Sequence, residues 1–307
     1  MKIVMWCNYV PPAKDSMGSE RVAEALTKAY IELGHEVVML VRSGYDKVSF
    51  PVVTEFPEGF DIIHGQGENL ERFGIPWVST VNGGGSDPND SPWKGDYRFI
   101  CVSDFIRKLS GNPYFVHACV DQNDFIYKEE KQDYFAWIAG TDWGEGKGLF
   151  TAIQLAKQFG IKLKIAGTGK NKKIIEHIKL TCDDKIEYVG AVNGKEKSKF
   201  LANAKALLFY TRLPDACPLT VSEALISGTP IIGSTNGSLP ELIVDGKTGI
   251  LCNSERELPK ALLNIKKIKP FDCRQYALNH FSNIVAAKKY LQIYEDVIKL
   301  YKGEVDG

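Results

Sequence analysis

DACPLTVSEALISGTP, from Asp215 to Pro230, places one acidic residue before an expected helix and a second, Glu223, inside it. Pro218 suits the first turn of a helix, where a missing N–H costs nothing, and Gly228 followed by Thr229 and Pro230 suits its end. A helix is therefore expected from about Pro218 to Ser227, with Leu219, Ala224 and Leu225 as apolar positions and Ile231-Ile232 opening a buried strand after it. A helix start carries free N–H groups and the positive end of the helix dipole, so it favours an anion such as a phosphate. Asp215 and Glu223, eight residues apart, can accept hydrogen bonds from the hydroxyls of a polyol. Phosphate at the helix start and hydroxyls at the two acids together suggest a nucleotide sugar.

Upstream of this stretch, strand and helix patterns alternate. Phe135 to Gly140, Lys162 to Gly167, Ile186 to Val189 and Ala206 to Tyr210 read as strands; Leu149 to Phe159, Asn171 to Thr181 and Lys195 to Ala204 read as helices. Pro230 to Ser234 follows as a further strand. Such alternation predicts a parallel α/β unit. The charged segment Lys128 to Asp133 reads as the linker before it. The N-terminal part starts the same way. Lys2 to Cys7 is strand-like, a polar loop runs to Gly18, and Val22, Ala25, Leu26, Ala29, Tyr30 and Leu33 repeat at helical spacing before the strand Glu36 to Val41. Asp61 to His64, Trp77 to Asn82, Tyr97 to Val102 and Tyr114 to Val120 are the next strands, and Phe281 to Tyr301 is one long amphipathic helix with Ser282 as its N-cap. The fold expected is α/β, two Rossmann-like doubly wound parallel-sheet domains in series (1–127 and 134–280) facing a cleft, followed by a helix over 281–301.

Length and composition agree with this. The 307 residues, 44% of them hydrophobic, can fill two cores, and 38 basic residues balance 38 acidic ones, so no global field attracts nucleic acid. Tryptophans and tyrosines are not interleaved with Lys and Arg as in nucleic-acid grooves. The seven cysteines are scattered and form no metal-ligand pattern, which reads as buried thiols of a reducing compartment. The run Met1 to Val10 is too short for a signal peptide, and no apolar run approaches the ~20 residues of a membrane span, so a cytoplasmic protein is expected. Small lysine clusters (Lys170, Lys172, Lys173; Lys266, Lys267, Lys269) read as solvated faces and leave peripheral contact with a membrane surface open.

Two glycine-rich stretches have to be set against known phosphate loops. Gly140 to Gly148, GTDWGEGKG, is one residue too long for a P-loop, and Gly148 stands where the Mg²⁺-binding Ser or Thr belongs. Gly167-Thr168-Gly169 lacks the third glycine of a dinucleotide fingerprint. What remains is Lys147 at a helix start, able to neutralise a diphosphate or to serve as a solvated surface charge. His64, followed by Gly65-Gln66-Gly67, reads either as a polar cap at a strand end or as a catalytic group. The run Asn82-Gly83-Gly84-Gly85-Ser86-Asp87 reads either as a surface turn or as a loop that approaches a ligand closely.

Taken together, these residues resemble the retaining glycosyltransferases of family 4, which have the GT-B architecture. Asp215 and Glu223 occupy the places of the two acids in that family's E-x7-E signature, and SGTPIIGSTNGSLPELIVDGKTGIL (Ser227 to Leu251) is similar to the segment that follows it. SMGSERVA (Ser16 to Ala23), DIIHGQG (Asp61 to Gly67), CVSDFIRK (Cys101 to Lys108) and IAGTDWGEGKG (Ile138 to Gly148) are weaker matches, and the last helix resembles one that crosses back to the first domain. The resemblance implies that Glu223 binds the nucleotide ribose, that Asp215 binds the donor sugar, and that Lys147 holds the diphosphate. It adds the amides of Leu219 and Thr220 and the loop at Gly18 as phosphate contacts, places Gly190 near the base, and points to Thr141, Asn82 and His64 as donor-side or catalytic positions.

The departures are specific. Asp215 is one methylene shorter than the usual first acid, Thr141 stands where an arginine is expected, Asn82 replaces a histidine, and Ala118-Cys119-Val120-Asp121 replaces an Asn-Gly-Val-Asp turn. The activity implied is metal-independent, cofactor-free transfer of a hexose with retention from a nucleoside diphosphate to a hydroxyl of a carbohydrate, lipid-linked or protein acceptor. UDP-hexose is the first donor expected and GDP-mannose the next. The leaving phosphate accepts the acceptor's proton in the front-face mechanism the family implies. A nucleotide-sugar epimerase of related fold and a non-catalytic nucleotide-sugar-binding homologue stay open.

Overall fold

Lys2–Tyr9 (β1), Gly18–Glu32 (α1) and Glu36–Ser43 (β2) realise the strand, loop, helix and strand read at the N-terminus. The computed structural model describes residues 1–9, 18–43, 48–82 and 93–303. Helix α1 buries Val22, Ala25, Leu26, Ala29 and Tyr30, the stripe expected from spacing. Val52–Val53 (β3), Ile62–Gln66 (β4), Trp77–Val81 (β5) and Phe99–Cys101 (β6) complete a six-stranded sheet ordered β3-β2-β1-β4-β5-β6, parallel throughout. Val4, Trp6, Leu40, Ile63 and Trp77 form one apolar layer of it. Ile3 and Met5, which alternate with Val4 and Trp6, are fully buried too, so the sheet is covered on both faces as a parallel sheet requires. Asp104–Ser110 (α2) follows, its N-cap Ser103 accepting from the Ile106 amide.

A second alternation begins at Phe135–Ile138 (β7) and runs through Leu149–Phe159 (α3), Leu163–Ala166 (β8), Lys172–Thr181 (α4), Ile186–Gly190 (β9), Gly194–Asn203 (α5), Leu207–Phe209 (β10), Leu219–Ile226 (α6) and Ile231–Ser234 (β11). Leu239–Leu242 (α7), Gly249–Cys252 (β12), Leu258–Asn264 (α8) and Pro270–Phe281 (α9) close it, and Asn283–Tyr301 (α10) ends the described chain. The second sheet is also six-stranded and parallel, ordered β12-β11-β10-β7-β8-β9. The α/β fold with two Rossmann-like parallel sheets is thus as read from the sequence. The chain divides into two units, Met1–Asp121 with His280–Gly307 and Gln122–Asn279. Within the first unit α10 packs against α1, the return to the N-terminal domain that the resemblance implied.

Besides β3, α2, α7, β12, α8 and α9, which the sequence reading does not assign, the structure differs from it in three places. Tyr114 to Val120 is not a strand: it makes only isolated bridges, Cys101 with Phe115 and Val120 with Ser282, because β6 is three residues long and offers little ladder to pair with. Lys128 to Asp133 is not a free linker but part of the second unit. There Lys131 Nζ donates to Ala202 O, Ser227 O and Thr229 Oγ1 at 2.9, 3.2 and 3.0 Å, closing the C-terminal ends of α5 and α6. Burial away from any carboxylate pulls that ammonium down to about 8. Helix α6 starts one residue later than expected, with Pro218 as its N-cap at φ −69° and ψ 107° and not inside its first turn.

In both sheets the strand order turns back at one crevice, between β1 and β4 in the first and between β7 and β10 in the second. Ligands of doubly wound sheets lie at the carboxyl ends of strands beside such a switch point.

Candidate active site

The switch point of the second sheet collects Lys147 and Asp215. Lys147 lies on the connection after β7 and Asp215 on the connection after β10, and Lys147 Nζ stands 2.9 Å from Asp215 Oδ2. Two residues 68 positions apart in sequence (215 − 147) meet because their strands are neighbours. Their side chains keep 27% and 16% of their surface exposed, so the pair is accessible.

The backbone under this pair is pinned from several sides. Trp137 Nε1, from the fully buried indole in β7, donates to Lys147 O at 3.0 Å. Gly146 O accepts from the Arg212 amide at 2.7 Å and from Thr211 Oγ1 at 3.1 Å, which ties the two connections together. Gly148 has φ +75°, and a Cβ there would sit 2.2 Å from Tyr210 O, so only glycine lets the chain pass this close to the end of β10. The Ser238 amide donates to Asp215 O at 3.0 Å, and Gly237 packs on the Asp215 backbone, where a Cβ would meet N and O at 2.5 Å.

Helix α6 begins four residues after Asp215. The Leu219 and Thr220 amides at its start donate to no acceptor among the described residues, and Pro218 before them has no N–H to offer. Glu223, one turn further on, is 0% exposed and pairs with Lys197 of α5, Nζ to Oε2 at 2.5 Å. This unit therefore holds an accessible cation beside a carboxylate, free helix-start amides, and a second, enclosed carboxylate. That set can neutralise a diphosphate and take hydrogen bonds from hydroxyls.

Thr141 and Gly190 lie along the neighbouring strand ends. Thr141 is fully buried after β7, and its hydroxyl has no hydrogen-bond partner among the described residues. Asp142 beside it accepts from the Lys170 and Asn171 amides, both at 2.8 Å, which binds the β7 connection to the one after β8. Those two amide bonds hold its carboxyl below the ordinary range. Gly190 ends β9 at φ +77°, and its carbonyl accepts from the Gly167 amide at 2.8 Å.

Gly18, Asn82 and His64 belong to the first unit. Gly18 is the first residue of α1, with Glu20 in the first turn. Asn82 follows β5, exposed, and its Nδ2 donates to Gln66 Oε1 at 3.0 Å. The rest of the glycine run, 83–87, and Ser16 and Met17 of the N-terminal match lie outside the described residues. His64 is fully buried in β4. Its Nδ1 meets Tyr294 Oη at 2.6 Å and its Nε2 meets Thr80 Oγ1 at 2.7 Å. Tyr30 Oη extends this network from Tyr294 at 2.7 Å, and Tyr290 Oη extends it from Thr80 at 2.8 Å. Burial pushes the imidazole down to about 3, so it is neutral in the folded protein. With both nitrogens engaged and no exposure, His64 takes the place of a satisfied core histidine, the plainer of its two readings.

Lys197 and Asp142 escaped the sequence reading. A signal for Lys197 was present: it shares the spacing 197, 200, 201, 204 with Phe200, Leu201 and Ala204, which are buried, and a lysine on an apolar stripe asks for a partner. Nothing in the sequence marks Asp142, whose partners are backbone amides. Among the described residues, no group of three or more His, Cys, Asp or Glu side chains is arranged to hold a metal ion. Nor is any described helix long and apolar enough to cross a membrane.

Comparison with known proteins bears on the family and the fold. The family model for glycosyl transferases group 1 matches residues 121–275. The O-antigen chain mannosyltransferase RfbU of Salmonella typhimurium is 24% identical over 56% of this chain and 47% of its own length. The chain spans 66% or less of the length of the curated relatives it matches. Among solved structures, AviGT4, a glycosyltransferase involved in avilamycin A biosynthesis, superposes with a TM-score of 0.78 at 20% identity, covering 97% of this chain and 98% of the other. Anabaena HepE in complex with UDP and glucose superposes with a TM-score of 0.70 at 12% identity, covering 96% and 99%. At these identities the structural likeness shows the GT-B fold.

Proposed function

The chain belongs to the glycosyl transferases group 1 family, and on that premise we propose that it moves a hexose, with retention, from a nucleoside diphosphate to a hydroxyl acceptor. The observation that carries the reading is the Lys147–Asp215 pair at the switch point beside free helix-start amides. Departure of a nucleoside diphosphate builds negative charge on its β-phosphate. Donors fixed there in advance stabilise the transition state more than the bound substrate, and so raise the rate.

In this reading Lys147 and the amides of Leu219 and Thr220 hold the diphosphate. Lys147 has three N–H donors, so it can keep one on Asp215 while giving others to phosphate oxygens. Asp215, oriented by Lys147 on one oxygen, takes a hydroxyl of the donor sugar, and Glu223 takes the ribose. Thr141 lines the β7 connection where an arginine is usual, and Gly190 lies near the base. His64 is given no chemical step. The leaving phosphate accepts the acceptor's proton.

UDP-hexose is the donor proposed first, supported by the Ile231 to Gly249 stretch and by the UDP and glucose held in Anabaena HepE. GDP-mannose is the second, favoured by the likeness to a mannosyltransferase. Calorimetry with UDP-, GDP- and ADP-sugars decides between them, and binding of none of the three overturns the function. The anomeric configuration of the product, read by NMR, tests retention, and an isomerised nucleotide sugar in place of free or transferred sugar marks an epimerase.

A further inference from the structure

We propose that Lys197 is a positioning residue for the nucleotide ribose, acting through Glu223; this rests on the reading that Glu223 meets the ribose hydroxyls. Glu223 is 0% exposed and Lys197 14%, and they touch at 2.5 Å. The pair joins α5 to α6, two helices that pack together, and Lys197 reaches it from a stripe otherwise filled by Phe200, Leu201 and Ala204.

A carboxylate taken out of water is strongly disfavoured unless a counter-charge accompanies it, and otherwise it protonates. The ammonium of Lys197, in contact with the carboxylate, is placed to supply such a charge. An adjacent ammonium favours the ionised form of a carboxyl, whose oxygens only accept, which is what two donating ribose hydroxyls require; a protonated acid turns one oxygen into a donor. The side chain of Lys197 keeps 14% of its surface exposed and that of Glu223 none, so the ammonium is the member of the pair that reaches solvent. Lys197 thus supports the charge of Glu223 and holds the orientation of its carboxylate.

The test is calorimetry of UDP, GDP and ADP and of their 2′,3′-dideoxy forms against wild type, Lys197→Met, Lys197→Arg and Glu223→Gln. Wild type is expected to prefer the ribo form of its nucleotide by about tenfold or more, as for hydrogen bonds to a charged acceptor. Lys197→Met is expected to lower affinity for the ribo form by about the same factor, leaving the dideoxy form unchanged, and Lys197→Arg to retain most of the preference. Retention of the full preference by Lys197→Met overturns the inference, as does equal loss for both forms, which marks a purely structural pair. If Glu223→Gln abolishes the preference and Lys197→Met does not, only the positioning role falls. If Glu223→Gln leaves the preference intact, or wild type has none, the ribose reading falls and the inference with it. Thermal melts check folding. Should Lys197→Met fail to fold, Lys197→Gln replaces it, and loss of fold in both overturns the inference in favour of a structural pair.

Discussion

In the first unit His64 stands in β4 with no exposure and both ring nitrogens engaged, whereas in the second unit Lys147 and Asp215 stand on connections after β7 and β10 with 27% and 16% exposed. Both places have residues able to move or hold a proton, and both are near a switch point of a parallel sheet. What separates them is whether the polar groups are already spent. The His64 network runs as a buried chain of hydrogen bonds from Tyr30 through Tyr294, His64 and Thr80 to Tyr290, so its bonds stabilise the fold. The Lys147–Asp215 pair is partly exposed, and an ion pair open to solvent contributes only about 0–1 kcal/mol to stability, so its groups can be lent to a ligand at little cost.

The largest expected effect follows directly. Lys147→Ala and Asp215→Ala should each lower turnover of the donor by about 10²–10³, the loss typical when one preorganised charge or donor is removed from a transition state. Neither should cost more than about 1 kcal/mol of stability, because the pair is partly exposed. Steady-state kinetics and thermal melts on the same preparations check both halves. A large melting shift with normal turnover would reverse the comparison, making this pair the structural one.

His64→Ala should do the opposite. It strands Tyr294 Oη and Thr80 Oγ1 on their His64 sides and leaves a void, for an expected loss of about 2–4 kcal/mol. Turnover per folded molecule should stay within a few-fold of wild type, and a fall of about 10² or more, comparable to that in Lys147→Ala, would put His64 back among the catalytic groups.

The pH dependence of stability gives a finer measure of the same network. The folded imidazole is held at about 3, well below its ordinary value near 6.5. Between those limits the unfolded chain binds the proton and the folded one does not. His64 therefore contributes stability that is present above about 6.5 and is lost as pH falls toward about 3, at up to about 1.4 kcal/mol per pH unit. Urea unfolding of wild type and His64→Gln across this window should show the difference shrinking as the solution becomes more acidic. His35 and His280, whose imidazoles burial also lowers, are present in both proteins and cancel. Parallel pH profiles would mean that His64 is protonated in the fold.

Much of this contrast was written in local sequence and some was not. Strands, α1 and α3 to α6 were legible because apolar period and turn residues agree there, and the E-x7-E-like spacing located α6 and its two acids. The ion pair of Lys147 with Asp215 was not legible, since it depends on β7 and β10 being neighbours across a separation of 68 positions (215 − 147). His64 illustrates the converse: its surroundings at Gly65-Gln66-Gly67 look like a site, and only Tyr290 and Tyr294, more than 200 residues away, close it. The linker reading of Lys128 to Asp133 failed for a related reason. A charged segment reads as solvated, and nothing local reveals that the Lys131 ammonium ends on three oxygens of α5, α6 and the turn after it.

The smallest effect tests how locally the first unit's network is held. Tyr290 and Tyr294 are carried by α10, whose N-cap Ser282 accepts from the Val285 amide at 3.4 Å. Ser282→Ala removes that acceptor and should cost about 1 kcal/mol, the usual worth of an N-cap. Fraying is confined to the first turn of a helix, and Tyr290 lies two turns in, where α10 is already packed against α1. The bonds of Tyr290 to Thr80 and of Tyr294 to His64 should therefore survive, and so should the pH dependence assigned to His64. Differential scanning calorimetry should show a shift of a few degrees in the melt, with the acid limb of the stability curve unchanged. A loss as large as that of His64→Ala, with a flattened acid limb, would mean that the cap sets the register of the whole helix and that the network is held from its end and not from its own hydrogen bonds.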